Sequence, residues 1–140
     1  MNTRKPFNFD ELLAKERATK PKKVQGHHES DLQISCVKWF KMQYKRYIIF
    51  AVPNGGTRDK KEMIWMLREG ILPGVADLVI LGDRGKILFV EMKTPKGTQS
   101  QHQKDFEEKV TQLGFQYIVC RSLESYMKAV REWVEKIRWE

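Results

Sequence analysis

Cysteine and long apolar segments are scarce in this chain of 140 residues. Its two cysteines, Cys36 and Cys120, both lie inside apolar segments, where we expect reduced core residues and neither a disulfide nor a zinc site. No apolar run approaches the ~20 residues of a membrane-spanning helix, and the basic N-terminus lacks the apolar stretch of a signal peptide. These absences predict a cytoplasmic protein without a membrane segment.

A glycine-rich phosphate-binding loop is also missing, which weakens the interpretation of the chain as a hydrolase of small phosphoesters. The chain has an excess of positive charge. Its 26 lysines and arginines and 18 acidic residues give a formal net charge of +8. Such a charge suits a polyanionic partner. The hydrophobic content of 41% and the charged content of 31% are typical of one soluble globular domain.

Residues 1–28 differ from the remainder in composition. They hold seven basic and three acidic side chains, so their net charge of +4 is half of the total. We predict a basic N-terminal arm or linker over 1–28 and one folded domain over 29–140. The arm is either a solvated tail or a segment that strengthens nucleic-acid binding through phosphate contacts.

The segment 73–93, PGVADLVILGDRGKILFVEMK, contains two apolar runs joined by a turn. The runs cover 76–81 and 86–92, and the Gly-Asp-Arg-Gly between them is typical of a tight hairpin loop. Because both runs are apolar at nearly every position, both faces of each strand are expected to be buried in the middle of a sheet.

Three charged residues interrupt these runs: Asp77, Glu91 and Lys93. A buried charge is costly unless it is paired or binds a metal. A one-residue bulge at the turn would set Asp77 opposite Glu91, with Cβ atoms roughly 5 Å apart, and Lys93 shares the face of Glu91. The set would offer two oxygen ligands for Mg²⁺ and an amine that positions or deprotonates a water. The alternative is an ordinary hairpin with a surface ion pair at its open end.

A helix over 29–45 is predicted by a stripe that recurs every four residues: Leu32, Cys36, Phe40 and Tyr44. Glu29 heads the same face. It is either an acidic residue favoured by the helix dipole or a third carboxylate of the metal site.

A strand at 47–52 and a Pro-Asn-Gly-Gly turn follow, and then a second helix at 59–69 with Met63, Ile64 and Leu67 as its core face. Turn geometry alone would explain Asn54, and only the family resemblance described below makes it a candidate site residue. Three basic residues at the start of the second helix are expected to be exposed and to contact phosphates: Arg58, Lys60 and Lys61.

Ser100 and Gln103 fit a capping box at the start of a helix over 100–113. Gln103 also heads the apolar stripe of this helix, so it should face the sheet where Glu91 and Lys93 end. Gln103 can cap the helix and face the sheet at the same time. A helix N-terminus beside a metal also favours the binding of a phosphate. Lys96 in the preceding loop and Lys104 in the first turn are further candidate contacts to nucleic acid.

A last strand at 115–120 and a helix from 122 to about 138 end the chain. The apolar face of this helix is wider than one sheet edge needs, and the excess at Trp133 and Trp139 suggests the interface of a homodimer. The order of elements predicts an α/β fold with a mixed four-stranded sheet flanked by helices.

The spacing Asp77…Glu91-Met92-Lys93 resembles the signature of the PD-(D/E)XK nuclease superfamily. The longer pattern is similar to one branch of it, the VRR-NUC domain: Gly-Ile-Leu-Pro-Gly-Val-Ala-Asp-Leu at 70–78, Glu-Met-Lys-Thr-Pro-Lys-Gly at 91–97, and then Gln103. That branch usually has a proline before the first aspartate, where this chain has Ala76, a departure that leaves the ligand intact. The resemblance covers roughly residues 29–125.

The resemblance implies a restriction-endonuclease-like αβββαβ core and a nuclease domain over 29–140. It also implies a DNA endonuclease that depends on Mg²⁺ or Mn²⁺ and uses no organic cofactor. Asp77, Glu91 and the Met92 backbone carbonyl would hold the metal, with Glu29 as a further carboxylate. Lys93 would position the attacking water and lower its pKa, and Gln103 would orient Lys93 or the phosphate.

Small stand-alone proteins of this kind occur in phages, which implies the host cytoplasm as location and branched DNA, such as a Holliday junction, as substrate. A junction calls for a two-fold symmetric homodimer with one active site for each strand that is cut. The alternative is a DNA-binding module that does not cut or only nicks weakly. The intact Asp77, Glu91 and Lys93 argue against it, because binding alone gives no reason to keep two carboxylates where a phosphate must approach.

Overall fold

The computed structural model describes residues 28–53 and 59–140, and its elements follow the predicted order. In this part of the chain the helices are α1 (His28–Gln43), α2 (Lys60–Arg68), α3 (Gln101–Gln112) and α4 (Leu123–Arg138). The strands are β1 (Ile48–Ala51), β2 (Leu78–Leu81), β3 (Ile87–Met92) and β4 (Gln116–Cys120). None of the described helices has the length and apolar character that crossing a membrane requires.

The strands form one mixed sheet in the order β1-β2-β3-β4. The pairs β1–β2 and β2–β3 are antiparallel, and β4 runs parallel to β3. A parallel pair needs a crossover connection, and α3 lies in the one that joins β3 to β4. This arrangement confirms the predicted α/β fold with a mixed four-stranded sheet flanked by helices.

The turn between β2 and β3 sets the register of the central hairpin. A short 3₁₀ turn covers Asp83–Gly85, and Arg84 and Gly85 have positive φ angles of 54° and 73°. Leu78 pairs with Val90, so continuing the register by one residue sets Asp77 opposite Glu91. The turn therefore produces the offset that we predicted for a bulged hairpin.

The two faces of the sheet are covered by different helices. On one face α1 and α4 pack against alternate residues of β3, of which Leu88, Val90 and Met92 are buried. On the other face Phe89 meets Phe106 of α3, with ring centroids 5.2 Å apart. Because side chains alternate along a strand, Glu91 lies on the same face as Phe89, toward α3.

α2 does not have the core face that the sequence predicts. Asp59 caps it by accepting a 2.8 Å hydrogen bond from the backbone N–H of Glu62, yet none of its side chains is buried. Met63, Ile64 and Leu67 are 39%, 56% and 47% exposed. An amphipathic pattern indicates that a helix has an apolar face, but it does not indicate that the same chain covers that face. The prediction was wrong for this reason.

The prediction of Trp133 as a surface residue was also wrong. Trp133 is buried in the core, where its ring lies edge-on to Tyr47 with centroids 6.5 Å apart. The close approach of the hairpin explains this burial, since a Cβ at Gly82 would lie 2.7 Å from the Trp133 ring. Trp139 is exposed, and its indole N–H donates to Oε1 of Glu135 at 3.0 Å.

Candidate active site

Glu91 is a buried acid at the end of β3, with 1% of its surface exposed. Its Oε1 accepts a 2.7 Å hydrogen bond from Nε2 of Gln103 and lies 3.7 Å from Nζ of Lys93. Its Oε2 is buried and has no hydrogen-bond partner among the described residues. A buried carboxylate oxygen without a donor is unfavourable, so this atom calls for a proton or a cation.

The pKa of Glu91 is raised from 4.5 to about 8, and the largest cause is burial, because water no longer solvates the charged form. The charge of the neighbouring Asp77 carboxylate contributes to this rise, while the Lys93 ammonium opposes it. A buried carboxyl group whose ionisation is disfavoured in this way either keeps its proton or binds a cation.

Asp77 is anchored at both its side chain and its backbone. The backbone N–H of Met92 donates to its Oδ2 at 2.7 Å, and its carbonyl accepts from the N–H of Val52 at 2.9 Å. These bonds connect the residue to β3 on one side and to the end of β1 on the other. Asp77 therefore has a fixed position beside Glu91, just outside the paired part of the hairpin.

Lys93 follows β3 directly, and its side chain is 11% exposed. Its backbone N–H donates to the carbonyl of Cys120 at 2.9 Å, which extends the pairing of β3 with β4 by one residue. The ammonium group therefore lies on the same face as Glu91 and next to it. Together Asp77, Glu91, Lys93 and Gln103 form one cluster at the end of the central hairpin.

Gln103 takes part in both arrangements suggested by its sequence position. The predicted capping box is present: Oε1 of Gln103 accepts from the Ser100 N–H at 2.9 Å, and Oγ of Ser100 accepts from the Gln103 N–H at 3.2 Å. The same side chain uses its Nε2 to donate to Glu91. The cap thus fixes the rotamer that brings the amide to the carboxylate.

Gly74 allows this helix start to approach the strand. Its φ is +86°, and a Cβ on it would lie 2.3 Å from the carbonyl of His102 and 2.7 Å from the backbone nitrogen of Gln103. Only glycine fits both the left-handed conformation and the close contact. The Pro-Gly preceding Asp77 therefore sets the distance between α3 and the two carboxylates.

Glu29 lies at the rim of the cluster, in the first turn of α1. It is exposed, and its Oε1 accepts a long hydrogen bond of 3.4 Å from the N–H of Thr94. Its charge is near enough to raise the pKa of Glu91 slightly. Within residues 28–53 and 59–140 no group of three His, Cys, Asp or Glu side chains converges at metal-binding distance. Glu29 as a third carboxylate ligand stays a prediction.

The lysines predicted to contact DNA lie on the surface. Lys60, Lys61, Lys96 and Lys104 are all exposed, and their contacts to a nucleic acid stay predictions. Asn54, Arg58 and the arm before His28 lie outside the described residues.

Two residues near the cluster escaped the sequence analysis. Tyr117 of β4 accepts a 3.1 Å hydrogen bond from Nε2 of Gln99, and burial together with the nearby charge of Glu91 raises its pKa. Arg121, just after β4, binds the loop that follows Lys93. Tyr117 reads as an ordinary strand residue and Arg121 as a surface residue, so neither gives a signal in a single sequence.

The donor set fits a hard divalent cation. It consists of two adjacent carboxylates, one of which is buried with an oxygen that lacks a partner among the described residues. Carboxylate and carbonyl oxygens are the ligands that Mg²⁺ and Mn²⁺ prefer. Asp77 and Glu91 would hold such an ion, and the Met92 carbonyl at the end of the same strand is the predicted third oxygen.

Comparison with known proteins identifies a domain family for this chain. The family model of the VRR-NUC domain matches residues 14–124, so its match begins inside the segment that we assign to the arm. A search of curated proteins gave no match. A solved structure described as a "VRR_NUC domain protein" superposes with a TM-score of 0.63 at 20% identity, over 80% of this chain and 92% of that chain.

A second solved structure, described as a "VRR_NUC domain", superposes with a TM-score of 0.55 at 21% identity, over 74% of this chain and 94% of that chain. At these identities the two structures bear on the fold alone. The family model spans most of the chain and includes all four residues of the cluster. This protein therefore belongs to the VRR-NUC domain family.

Proposed function

We propose that this protein is a metal-dependent endonuclease that hydrolyses DNA phosphodiester bonds. Membership of a nuclease domain family gives the reaction class. The observation that carries the proposal is the buried Glu91, whose Oε2 lacks a partner among the described residues while Asp77 and Lys93 lie beside it. A cluster that serves only stability would satisfy this oxygen, whereas a metal-binding nuclease needs it free.

Asp77 and Glu91 would bind Mg²⁺ or Mn²⁺ together with the Met92 carbonyl. When bound, the ion supplies a Lewis acid that polarises the scissile phosphate and lowers the pKa of a coordinated water. Lys93 positions the attacking water and favours its deprotonated form through its own positive charge. Gln103 donates to Glu91 and so keeps the carboxylate in the orientation that the cation requires.

The preferred substrate in this proposal is branched DNA, such as a Holliday junction. The support is the likeness of the sequence to small stand-alone VRR-NUC proteins of phages, within the PD-(D/E)XK superfamily, together with the net charge of +8. The exposed Lys60, Lys61, Lys96 and Lys104 would contribute phosphate contacts. These contacts would strengthen binding without distinguishing one DNA sequence from another.

A homodimer is part of the proposal, but its interface differs from the one first predicted, since Trp133 is buried. The exposed apolar side chains of α2 and of the edge strand β1 support a different surface. Ile64 and Trp65 of α2 are 56% and 58% exposed, and Ile48 and Phe50 of β1 are 57% and 44% exposed. Exposed apolar groups of this kind mark interaction surfaces. Among the described residues β1 pairs with a strand on one side only, so its other edge could pair with a partner.

Incubation with supercoiled plasmid and with a four-way junction, each with Mg²⁺, Mn²⁺ or EDTA, tests the activity. We expect nicking of the plasmid and paired cuts in the junction, both lost in EDTA. Binding to DNA without cutting in any metal would support the non-catalytic module instead. Equal cutting of linear duplex and junction would support an endonuclease without branch selectivity.

Light scattering tests the dimer. A monomeric mass at micromolar concentration would contradict it. If the mass is dimeric, Ile64→Glu should give folded monomers that nick plasmid but lose paired cuts, because Ile64 is exposed and its replacement leaves the core intact. Ile34→Glu on α1, where Ile34 is 63% exposed, is the matched control and should stay dimeric.

A further inference from the structure

We propose that a cavity next to Lys93 is a second phosphate subsite, which binds a phosphate of the substrate strand adjacent to the one that is cut, with Arg121 as its main ligand. This inference rests on the proposed nuclease function. The cavity has a volume of about 380 Å³ and lies between the start of α1 and the loop after β3. The residues that line it are His28, Leu32, Lys93, Thr94, Pro95 and Arg121.

Arg121 is held rigidly at one end of its guanidinium group. Its Nη1 donates to the carbonyls of Thr94 and Gly97 at 2.8 Å and 2.7 Å, and it lies 3.5 Å from the carbonyl of Pro95. These acceptors are neutral, so the positive charge of Arg121 is not cancelled by any of them. A guanidinium has five N–H donors, and Nε and Nη2 have no hydrogen-bond partner among the described residues.

The charge of the cavity favours an anion. Arg121 and Lys93 contribute two cations, and none of the lining residues is acidic. The carboxylate of Glu29 does not line the cavity, and its Oε1 accepts from the N–H of Thr94. Leu32 and Pro95 add apolar walls that suit a sugar or a base. A DNA strand has phosphates flanked by sugars and bases, so it matches this combination of charge and apolar surface.

The connection to the reaction comes from Lys93, which borders both the cavity and Glu91. If the scissile phosphate of a strand lies at the carboxylate cluster, the adjacent phosphate of the same strand would lie near the cavity. The bidentate geometry of arginine suits phosphate oxygens. Because the loop from Thr94 to Gly97 also joins Lys93 to the start of α3, phosphate binding at Arg121 would tighten the segment that carries Lys93.

The binding test uses a short fluorescent single-stranded oligodeoxynucleotide in EDTA, so that no cleavage takes place. We expect Arg121→Gln to bind about tenfold more weakly, as for the loss of a charge-assisted hydrogen bond. The plot of log affinity against log salt should become shallower by roughly 0.7. Arg84→Gln removes the same charge from the hairpin at the opposite end of the sheet and should bind like the wild type.

A second pair of variants tests the charge of the cavity while Arg121 itself is kept. Pro95 is an exposed lining residue, so Pro95→Glu and Pro95→Gln introduce side chains of equal size that differ in charge. We expect Pro95→Glu to weaken oligonucleotide binding roughly tenfold relative to Pro95→Gln. This pair keeps the test valid if Arg121→Gln fails to fold.

The outcomes separate this subsite from the nuclease proposal. Wild-type cleavage in Mg²⁺ combined with unchanged binding by Pro95→Glu would overturn the subsite and leave the nuclease intact. Slower cleavage by Arg121→Gln with an unchanged salt slope would also overturn it, since Arg121 would then only position the loop. Absence of cleavage by the wild type in every metal tested would overturn the proposed nuclease, and the subsite as part of it.

Discussion

The side-chain amide of Gln103 donates a 2.7 Å hydrogen bond to the buried carboxylate of Glu91. This bond joins the first turn of α3 to the end of β3, two elements that the sequence separates by an irregular loop. It reaches Oε1, the same oxygen that faces Lys93, and leaves Oε2 without a partner in the described part of the chain. The helix therefore fixes one side of the carboxylate while the other side is free for a cation.

Lys93→Ala should reduce cleavage by roughly 10²–10⁴-fold, the range expected when a group that handles protons at the reacting centre is removed. The fold should persist, because Lys93 lies beyond the end of β3 and does not belong to the hydrophobic core cluster. Plasmid nicking in Mg²⁺ measures the rate, and thermal unfolding followed by circular dichroism measures the fold. Lys109→Ala, exposed in the last turn of α3, is the matched control. Wild-type rates in Lys93→Ala would remove this residue from the active site.

Asp77→Asn should weaken Mn²⁺ binding at least tenfold, because it removes one of two charged ligands from the cation site. Titration calorimetry of the protein with Mn²⁺ measures this change without any DNA. Asp105→Asn on the exposed face of α3 removes the same charge elsewhere and should bind Mn²⁺ like the wild type. Equal affinities in Asp77→Asn and the wild type would mean that the ion, if bound, lies at another site.

The metal-free protein should lose stability as the pH rises from about 4.5 to about 8. The folded-state pKa of Glu91 is about 8, above its ordinary value of 4.5, so over this window the folded protein keeps a proton that the unfolded chain loses. The free energy of unfolding therefore falls with rising pH. Melting temperatures measured in EDTA across the window test this sign.

Glu91→Gln should flatten that pH dependence, because the amide carries no titrating proton. Glu108→Gln, exposed on α3, should leave the curve unchanged. Parallel curves for Glu91→Gln and the wild type would show that another group dominates. In the wild type, Mn²⁺ should raise the melting temperature most near pH 8, where the cation competes with the fewest protons.

Ser100→Ala and Gln103→Ala should separate the cap from the carboxylate contact. Ser100→Ala removes one capping bond and should cost about 1 kcal/mol of unfolding free energy, with cleavage close to the wild-type rate. Gln103→Ala removes the other capping bond and the bond to Glu91, so it should lower both stability and cleavage. Equal cleavage rates in the two variants would indicate that Gln103 serves only the helix.

Gly74→Ala should be much more harmful than Gly70→Ala. Both glycines have positive φ angles, +86° and +103°. Alanine in this left-handed conformation destabilises the folded state by roughly 1–2 kcal/mol at either position. Only at Gly74 would the added Cβ meet backbone, that of His102 and Gln103, while nothing lies within 4 Å at Gly70. Urea unfolding gives the difference in stability between the two variants. Similar losses of unfolding free energy in the two variants would mean that α3 moves away from residue 74 at no cost in stability.

The central hairpin and the place of its charged residues along the chain follow from local patterns in the sequence. Side chains alternate along a strand, so the spacing assigned Glu91 and Lys93 to one face. Placing Asp77 opposite Glu91 required a bulge at the turn, and the register in the structure has that offset. The capping box at Ser100 and Gln103 is equally local, since both partners lie within one helical turn. Such short-range patterns persist in almost any tertiary context.

Which apolar faces are covered and which polar atoms lack partners depends on how distant segments pack together. α2 and α4 both have amphipathic patterns, yet α4 buries Trp133 against the hairpin while α2 leaves Ile64 exposed. The loop contacts of Arg121 join residues 24 to 27 positions apart in the chain. Burial of Glu91 and the resulting rise in its pKa likewise depend on what distant segments place around it. These properties arise from long-range packing, which a single sequence does not encode in any local pattern.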